Sequence, residues 1–504
     1  MRRTRPGLVL AVVGMGMFVA ADDLTVVSTL LRQIVGDLEI ALPERIDDAA
    51  WIVNAYLVAY VAVMPIAGRL SDIVGRRAVI VGGLGRVAIG SAFIPFTTSL
   101  TSFLFWRVVT AVGGGAVVPV ALAAVADVYP EGRRGRALGV LGALETLGWV
   151  WGPLFGAMLV RFLDWRWQFY LNVPLAIGGM AAAWVVLRGV GKREPGRRLD
   201  AAGAVALSAA LVALTIGLVE LGDIASATDL AGLTEGGGLP AWPFFAIAVA
   251  ATAAFVVIER RGDDPLIGRA VLASPTTRVA LATNLLVGAV LAIAMVDIPL
   301  FVNLVVEIEV RSAAVTSGWV LTGLTAAMAV MTVAGGRLGD RISHRAPTLA
   351  GMAAAAVALI VMGATWDIAI DALTMGLHAA LLGAGIGLVT APLTAAVVDE
   401  VPSERRGLGT AFVVISRLIG LAIGLAGLTA WALHRYDTLR ATIDLPPLTD
   451  PTYADVAEAA QRHLSASVLS ETFLAAAAVA GGGLLLATKL KKGAGSGEQI
   501  ADSR

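Results

Sequence analysis

The sequence predicts an all-α membrane protein of fourteen transmembrane helices, built as two six-helix halves with two extra helices inserted between them. Composition is the first reason. Of 504 residues, 57% are hydrophobic and only 15% are charged, which is more apolar surface than a soluble protein of this size can bury. The second reason is an internal duplication. In a membrane protein, two related halves in the same order are typical of a transporter whose halves rock around a site between them.

The duplication is carried by a short motif that occurs twice. Its first copy runs from Gly68 to Arg77 and its second from Gly336 to Arg345, so that Asp340 follows Asp72 by 268 residues. A second repeat, with an offset of 272 residues, relates Asp127, Pro130 and Arg133 to Asp399, Pro402 and Arg405.

Fourteen apolar stretches are each long enough to cross the hydrocarbon core of a bilayer. The first follows three arginines, as a signal peptide would, but its apolar pattern continues past Asp22-Asp23 without a convincing cleavage site, so we predict an uncleaved helix. The predicted segments 1 to 14 are 8–31, 50–69, 78–97, 101–124, 136–160, 167–187, 201–221, 241–258, 279–305, 315–335, 346–364, 372–397, 408–433 and 466–488.

Basic residues predict the orientation. An even number of segments puts both termini on one side, and most of the 38 Lys and Arg residues fall in the termini and the even-numbered loops, such as Arg76-Arg77 and Lys489 to Lys492. Because loops rich in Lys and Arg stay in the cytoplasm, we expect both termini to be cytoplasmic.

The repeats also predict the domains. Segments 1–6 form an N-terminal half (1–188), residues 189–275 form a linker with two extra transmembrane helices, and residues 276–490 form a C-terminal half, followed by a tail (491–504). The last outside loop, 434–465, is polar, and a helix from Tyr453 to Thr488 would be about 54 Å long. Part of it should therefore project outward, either as a solvated connector or as an arm that docks a partner or guides lipid.

Several function classes are excluded. Zero net charge argues against nucleic-acid binding, and the absence of cysteine removes disulfides and thiolate metal sites. No paired histidine and carboxylate with metal spacing, and no phosphate-binding or dinucleotide motif, is present. We expect no metal, no cofactor and no enzymatic activity.

A few ionisable residues interrupt the apolar segments, although each costs about 2.5–3.5 kcal/mol there. Glu145 and Arg417 are 272 residues apart and so occupy equivalent positions in the two halves. Opposite charges on such helices can meet near the midline, which predicts a proton-driven gate; the alternative is a static buried pair. The complete set is Asp23, Arg86, Arg107, Glu145, Asp297 and Arg417.

Asp23 is the predicted proton-binding carboxylate, because burial favours the neutral form of a carboxyl group. The alternative is a solubilising acid at a segment end. Its neighbour Asp22 should face elsewhere and not be equivalent, whereas Asp297 is a second candidate carboxylate of the cavity. Arg107 either supplies a positive charge to a nearby carboxylate or extends to the membrane surface. Arg86 is assigned no role.

Two further groups are predicted to act on conformation. The duplicated motif should close the cytoplasmic side, with loop folding alone as the alternative; its residues are Gly68, Asp72, Gly75, Arg76, Arg77, Asp340 and Arg341. Gly148, Gly152 and Gly156, with Pro153 beside them, lie four apart on one helix face. Small residues allow helices to approach closely, so this face is either a tight contact or a flexing seam between the halves.

These motifs together resemble the major facilitator superfamily, in its fourteen-helix drug:proton antiporter branch. The likeness rests on Gly68 to Arg77, Leu104 to Arg107, Gly148 to Gly156 and Asp164 to Trp167. Two departures are Thr110-Ala111, where this branch usually has Gln-Gly, and Ser343-His344 in the second motif copy. The resemblance implies the major facilitator fold and a helix-4 arginine, here Arg107, tied to proton transfer.

Within that branch, Ala50 to Val53, Leu144 to Gly148, Val296-Asp297 and Ser416-Arg417 are similar to mycobacterial exporters of triacylglyceride and drugs that work with the lipoprotein LprG. This likeness implies a proton-coupled transporter of the bacterial inner (plasma) membrane that exports lipid or other hydrophobic molecules by alternating access. Its expected partners are lipid, protons and an outside-facing lipoprotein at loop 434–465. The alternatives are a polyspecific multidrug:proton antiporter, and an uncoupled lipid scramblase or membrane scaffold.

Overall fold

The computed structural model describes residues 5–40, 46–191, 199–221, 241–261, 266, 272–307, 310–443, 446–447, 450 and 452–491. Within these ranges there is no β-strand, and fourteen helices are long and apolar enough to cross a membrane. The predicted all-α class and number of spans are therefore confirmed. The loop at 222–238, the basic stretch 192–198 and the tail from 492 onward lie outside the described residues.

Each predicted segment corresponds to one helix, and we number the helices in chain order. The N-terminal six are α1 (Pro6–Asp37), α2 (Ile46–Val74), α3 (Arg76–Phe93), α4 (Leu100–Val128), α5 (Arg134–Phe162) and α6 (Arg166–Val186). The inserted pair is α7 (Ala201–Leu221) and α8 (Trp242–Arg261). The last six are α9 (Pro275–Phe301), α10 (Val310–Arg341), α11 (Arg345–Thr365), α12 (Ala372–Glu400), α13 (Arg406–Arg440) and α14 (Tyr453–Ala487).

Two large apolar clusters fill the interior, one centred on each six-helix set. Val13, Leu84, Val117 and Leu141 belong to the cluster of the N-terminal set, which also includes side chains of α12 and α13 such as Ala395 and Val414. The largest buried cluster is dominated by side chains of α9 to α14. Helix α7 packs where the two sets meet. Its Ser208 donates a hydrogen bond to the carbonyl oxygen of Ala62 in α2 at 2.8 Å, its Leu211 joins the first cluster and its Ala204 joins the second.

The outside loop differs from the prediction. Helix α13 continues to Arg440 and α14 begins at Tyr453, so most of the region expected to be a polar loop is helical. The predicted start at Tyr453 is confirmed, but segments 13 and 14 were drawn too short, because helix formation continues beyond the apolar stretch that a hydropathy criterion detects. At 35 residues, α14 is about 52 Å long at 1.5 Å per residue, which exceeds the hydrocarbon thickness.

Side-chain contacts fix this hairpin, which we call the α13–α14 extension (residues 434–440 and 453–465). Arg435 of the extension forms a doubly hydrogen-bonded ion pair with Glu471, further along α14, with N–O distances of 2.6 and 2.7 Å. Arg462 donates through both Nε and Nη2 to the carbonyl oxygen of Val305, at 3.1 and 2.7 Å. That carbonyl lies in a π-helical turn, Val302–Val306, which continues α9. The extension is therefore tied to the membrane-embedded part of its own half.

A glycine contact inside the C-terminal set gives a test of this packing. A methyl group added at Gly383 of α12 would overlap the carbonyl of Leu324 in α10, whereas one added at Gly376, on the same helix, meets nothing within 4 Å. Overpacking of this kind costs about 1–3 kcal/mol. We expect Gly383→Ala to lower the thermal midpoint of the detergent-solubilised protein and Gly376→Ala to leave it unchanged. Equal midpoints for the two variants would contradict the α10–α12 contact.

Candidate functional site

The first copy of the duplicated motif joins the two halves through Asp72. This carboxylate is buried at the end of α2, and its two oxygens accept hydrogen bonds from the backbone amides of Gly407 (2.9 Å) and Leu408 (3.1 Å) at the start of α13. Arg76 pairs with Asp72 and, through Nε, with Asp127 at 3.0 Å. The arginine partner of Asp72 thus comes from its own motif, because the tight turn after α2 brings Arg76 back over the helix end.

The second copy makes the equivalent contact with the other half. The oxygens of Asp340, in the last turn of α10, accept the amides of Gly135 and Arg136 at the start of α5, each at 2.8 Å. Both contacts place a carboxylate at a helix N-terminus, where free amides and the helix dipole favour negative charge. We call the two contacts the paired latch. Two ion pairs between the halves lie beside it: Arg134 with Asp399, and Arg406 with Asp127.

The remaining motif residues have different roles. Gly75 has a φ of 98°, a conformation that favours glycine, and Gly68 lies so close to Gly407 that an added methyl group would meet its backbone. Arg77 does not join the latch, because its guanidinium group stacks on the ring of Trp184, 3.6 Å from the centroid. Arg341 lines a cavity beside the latch.

Glu145 and Arg417 meet deeper in the membrane. Nη2 of Arg417 donates to Oε1 of Glu145 at 2.6 Å, and both residues are 5% exposed. Each is eleven residues from the start of its helix, α5 or α13, so the pair lies about 16 Å below the latch face at 1.5 Å per residue. Trp149, one turn after Glu145, holds its ring 5.5 Å from the guanidinium carbon of Arg417. The structure therefore brings together the two positions that the repeat relates.

Asp23 and Arg107 form a second buried pair, within the N-terminal half. Nη1 of Arg107 is 3.2 Å from Oδ1 of Asp23, and Nη2 donates to the Asp23 carbonyl oxygen at 3.3 Å. The guanidinium group also lies over the ring of Tyr56, 4.2 Å from its centroid. Arg107 is 0% exposed, so the alternative that it extends to the membrane surface was wrong. Among the described atoms, Oδ2 of Asp23 has no hydrogen-bond partner.

Asp22 is also buried, and its partner differs from that of Asp23. Its Oδ2 accepts a hydrogen bond of 2.6 Å from Gln168 of α6, and Asn172, one turn later, lies 3.4 Å from Oδ1 of Asp23. Two amides four residues apart thus serve two adjacent carboxylates. Sequence reasoning missed Gln168; its signal was the i, i+4 spacing of two amide side chains in a membrane segment.

Asp297 is held inside the C-terminal half. Its Oδ2 accepts a hydrogen bond of 2.7 Å from Thr472 of α14, a partner that the sequence did not indicate. Arg86 of α3 is exposed, and its Nη1 donates to the carbonyl oxygen of Gly82 in its own helix at 3.0 Å. Neither residue contacts the pair between α5 and α13.

The glycine face of α5 packs against α1. Methyl groups added at Gly148, Gly152 and Gly156 would meet atoms of α1, including those of Ala21, Thr25, Val26 and Thr29. Tight packing is therefore confirmed, but the interpretation as a seam between the halves was wrong, because both helices belong to the N-terminal half. The side chain of Pro153 lies outside the described part of the chain.

Fourteen apolar helices, a duplicated latch and buried charges that join two halves define a membrane transporter of the major facilitator type. Residues 13–425 match the Major Facilitator Superfamily, and the chain belongs to it. The expected multi-pass membrane protein is confirmed, and the fold and the relatives are those of transporters, not of enzymes.

The relatives are more specific than the fold. The chain is 33% identical over 447 residues to a triacylglyceride transporter of Mycolicibacterium hassiacum, which covers 86% of this chain and 81% of that protein. It is 31% identical over 496 residues, 94% of each chain, to a probable triacylglyceride transporter of Mycobacterium leprae. Among solved structures, it resembles the human organic anion transporter MFSD10 (TM-score 0.60, 16% identity, 94% of this chain and 99% of that one) and a proton:xylose symporter (TM-score 0.60, 12% identity, 98% and 97%).

The paired latch predicts the behaviour of Asp72→Asn. The asparagine side chain cannot accept hydrogen bonds from two backbone N–H groups and also pair with a buried arginine, as the carboxylate does. Hydrogen bonds to charged groups are worth about 1.5–3 kcal/mol. Since the chain has no cysteine, Ala411→Cys, beside Gly68, is a unique reporter. We expect Asp72→Asn to raise its rate of maleimide labelling by about tenfold or more. Asp164→Asn, at the far end of the same half, is the control, and an unchanged rate in Asp72→Asn would contradict the latch.

Proposed function

We propose that this protein is a proton-coupled secondary transporter that exports triacylglyceride-like lipids, or other hydrophobic and amphiphilic molecules, by alternating access between its halves. The observation that carries the proposal is the buried ion pair of Glu145 and Arg417, which joins the halves in the middle of the membrane. The protein would act in a bacterial plasma membrane with both termini cytoplasmic, and the paired latch would then close the cytoplasmic side.

Protonation of the central pair would let the halves separate. Two opposite charges about 4 Å apart attract by about 4 kcal/mol at an effective dielectric constant near 20, before the cost of desolvation. A proton on Glu145 removes this attraction and leaves a neutral carboxyl group. Parting the halves while both groups are charged would instead leave an unpaired charge in a water-poor site, which is strongly unfavourable.

The two adjacent carboxylates of α1, Asp22 and Asp23, form the proposed proton-binding group. Asp22 and Asp23 are adjacent and buried, and Arg107 is the cation that contacts Asp23. Two buried carboxylates beside one guanidinium group carry a net negative charge if both are ionised, which burial disfavours. One bound proton would neutralise the group. Asp23, with one oxygen that lacks a described partner, is the proposed site for it, and Asp297 remains the second candidate.

The proposed cargo follows from the relatives and from the chemistry of the path. Triacylglycerides carry no charge and need an apolar route with few polar anchors. The α13–α14 extension would project from the outer membrane surface and offer a docking site for a lipoprotein that receives the lipid. A polyspecific multidrug:proton antiporter is the second candidate, since the same charges would serve cationic drugs. An uncoupled scramblase or scaffold is the third, and the buried mixed charges argue against it.

The central pair predicts two variants with the same defect. We expect Glu145→Gln and Arg417→Ala each to reduce transport in proteoliposomes by at least tenfold, because each removes the charge that its partner must meet at every cycle. Glu471→Gln breaks an arginine–glutamate pair within one half and should transport normally. Wild-type transport rates in both central variants would contradict the gate. A transport defect in all three variants, including Glu471→Gln, would indicate that the central pair has only a structural role.

Cargo and coupling are tested together. Proteoliposomes that contain labelled triacylglyceride should release it to an external acceptor faster with an imposed pH gradient than after its collapse, and Asp23→Asn should remove this dependence. A parallel assay follows efflux of a cationic dye from cells. Dye efflux without lipid release would favour the drug antiporter, and lipid movement indifferent to the gradient would favour the scramblase.

A further inference from the structure

A basic cavity lies between the halves beside the paired latch. Neither residue of the proposed gate, Glu145 or Arg417, lines it. Its volume is about 650 Å³. The N-terminal half contributes Arg133 and Arg136, from the start of α5, and the C-terminal half contributes Arg337 and Arg341, from the last turns of α10. The cavity is thus lined by two cations from each side of the boundary that alternating access would open and close.

The charge of this cavity is not neutralised from within. Asp340 is its acidic lining residue, and both oxygens of that carboxylate are already engaged by the amides of Gly135 and Arg136. In the described parts of the chain, none of the four guanidinium groups has a carboxylate partner. Four positive charges converge against one negative charge, and Arg136 lies in the first turn of α5, where the helix dipole also favours an anion.

The surroundings match the boundary between headgroups and acyl chains. The cavity wall continues into the membrane along Leu10 of α1 and Val140 of α5. Leu338 of α10 and Ile342, one residue past its end, follow the two arginines in sequence and are 38% and 58% exposed. A ligand can therefore place an anionic group among the arginines while its chains lie against apolar side chains. Basic pockets between transmembrane helices on the cytoplasmic side suit anionic headgroups.

We propose that this cavity binds a phosphate-bearing anion, as in the headgroup of an anionic phospholipid, and that the bound anion holds the latch face closed. Planar guanidinium groups bind phosphate oxygens in pairs. Because each half supplies two arginines, the complete site exists only while the halves meet at this face. An anion that binds the closed form better than the open form shifts the population toward the closed form. The inference does not depend on cargo or on proton coupling.

The test measures closure without transport. The full chain with Ala411→Cys is reconstituted in nanodiscs of phosphatidylcholine, with or without phosphatidylglycerol, and maleimide labelling is followed. We expect phosphatidylglycerol to slow labelling of the otherwise unchanged protein by about tenfold. Each basic residue near an anionic surface contributes about 1 kcal/mol, so the double variant Arg337→Gln/Arg341→Gln should need about 30-fold more of this lipid for the same effect.

Matched variants separate this site from general surface charge. Arg261→Gln/Arg278→Gln removes two exposed arginines of the same predicted face that do not line the cavity, and it should respond as the parent does. Arg133→Gln/Arg136→Gln should reproduce the loss from the other half, and equal thermal midpoints in phosphatidylcholine show that the variants fold. Equal responses in all three double variants, or no response of the parent to either phosphatidylglycerol or inorganic phosphate, would overturn the proposal.

A further arm identifies the source of the phosphate group. Inorganic phosphate is added to nanodiscs that contain phosphatidylcholine alone. If it slows labelling in the parent and not in Arg337→Gln/Arg341→Gln, the site takes a soluble phosphate. If only phosphatidylglycerol does so, the site takes a lipid headgroup. Both results support a phosphate-binding cavity.

Discussion

The architecture depends on the rule that a charge buried in a membrane needs a partner. Glu145 of α5 and Arg417 of α13 pair across the boundary between the halves, so each charge keeps its partner only while the two halves are together. The backbone of Arg417 is closely packed against α9, since a methyl group added at Gly288 would overlap the Arg417 carbonyl oxygen. An isolated charge at this depth would cost several kcal/mol. The pair is therefore stable when the halves are together and a liability when they part, which is the property that a protonation-controlled gate requires.

The charged groups are arranged at distinct depths. The paired latch joins the halves at one face through carboxylates at helix N-termini, the Glu145–Arg417 pair joins them about 16 Å deeper, and the Asp22–Asp23 group lies inside one half. A contact path links the last two. Gly148 and Gly152 of α5 pack against the backbone around Asp22 in α1, and the same helix α5 carries Glu145. A movement of the α1 backbone would thus act directly on the helix that carries Glu145.

The two halves are related but not equal. Asp23 pairs with an arginine, whereas its near-equivalent Asp297 is hydrogen-bonded to Thr472 alone among the described side chains. Helix α7 packs on α2 and reaches both cores, so the inserted pair covers one side of the boundary between the halves. At the end opposite the paired latch, the described residues show a helical extension in the C-terminal half, tied down by Arg462 and by the Arg435–Glu471 pair.

The sequence by itself determined the fourteen helices, the duplication and the identity of the central pair, because apolar length, repeat offset and the cost of buried charge are local or periodic properties. It did not place Gln168 beside Asp22 or Thr472 beside Asp297, since these partners come from helices that are distant in the chain. It assigned the glycine face of α5 to the wrong neighbour, because small residues permit close approach without naming the helix that approaches. Hydropathy also ended α13 too early and began α14 too late. Only the packed structure, which sets the helices that lie beside each buried polar group, decided these points.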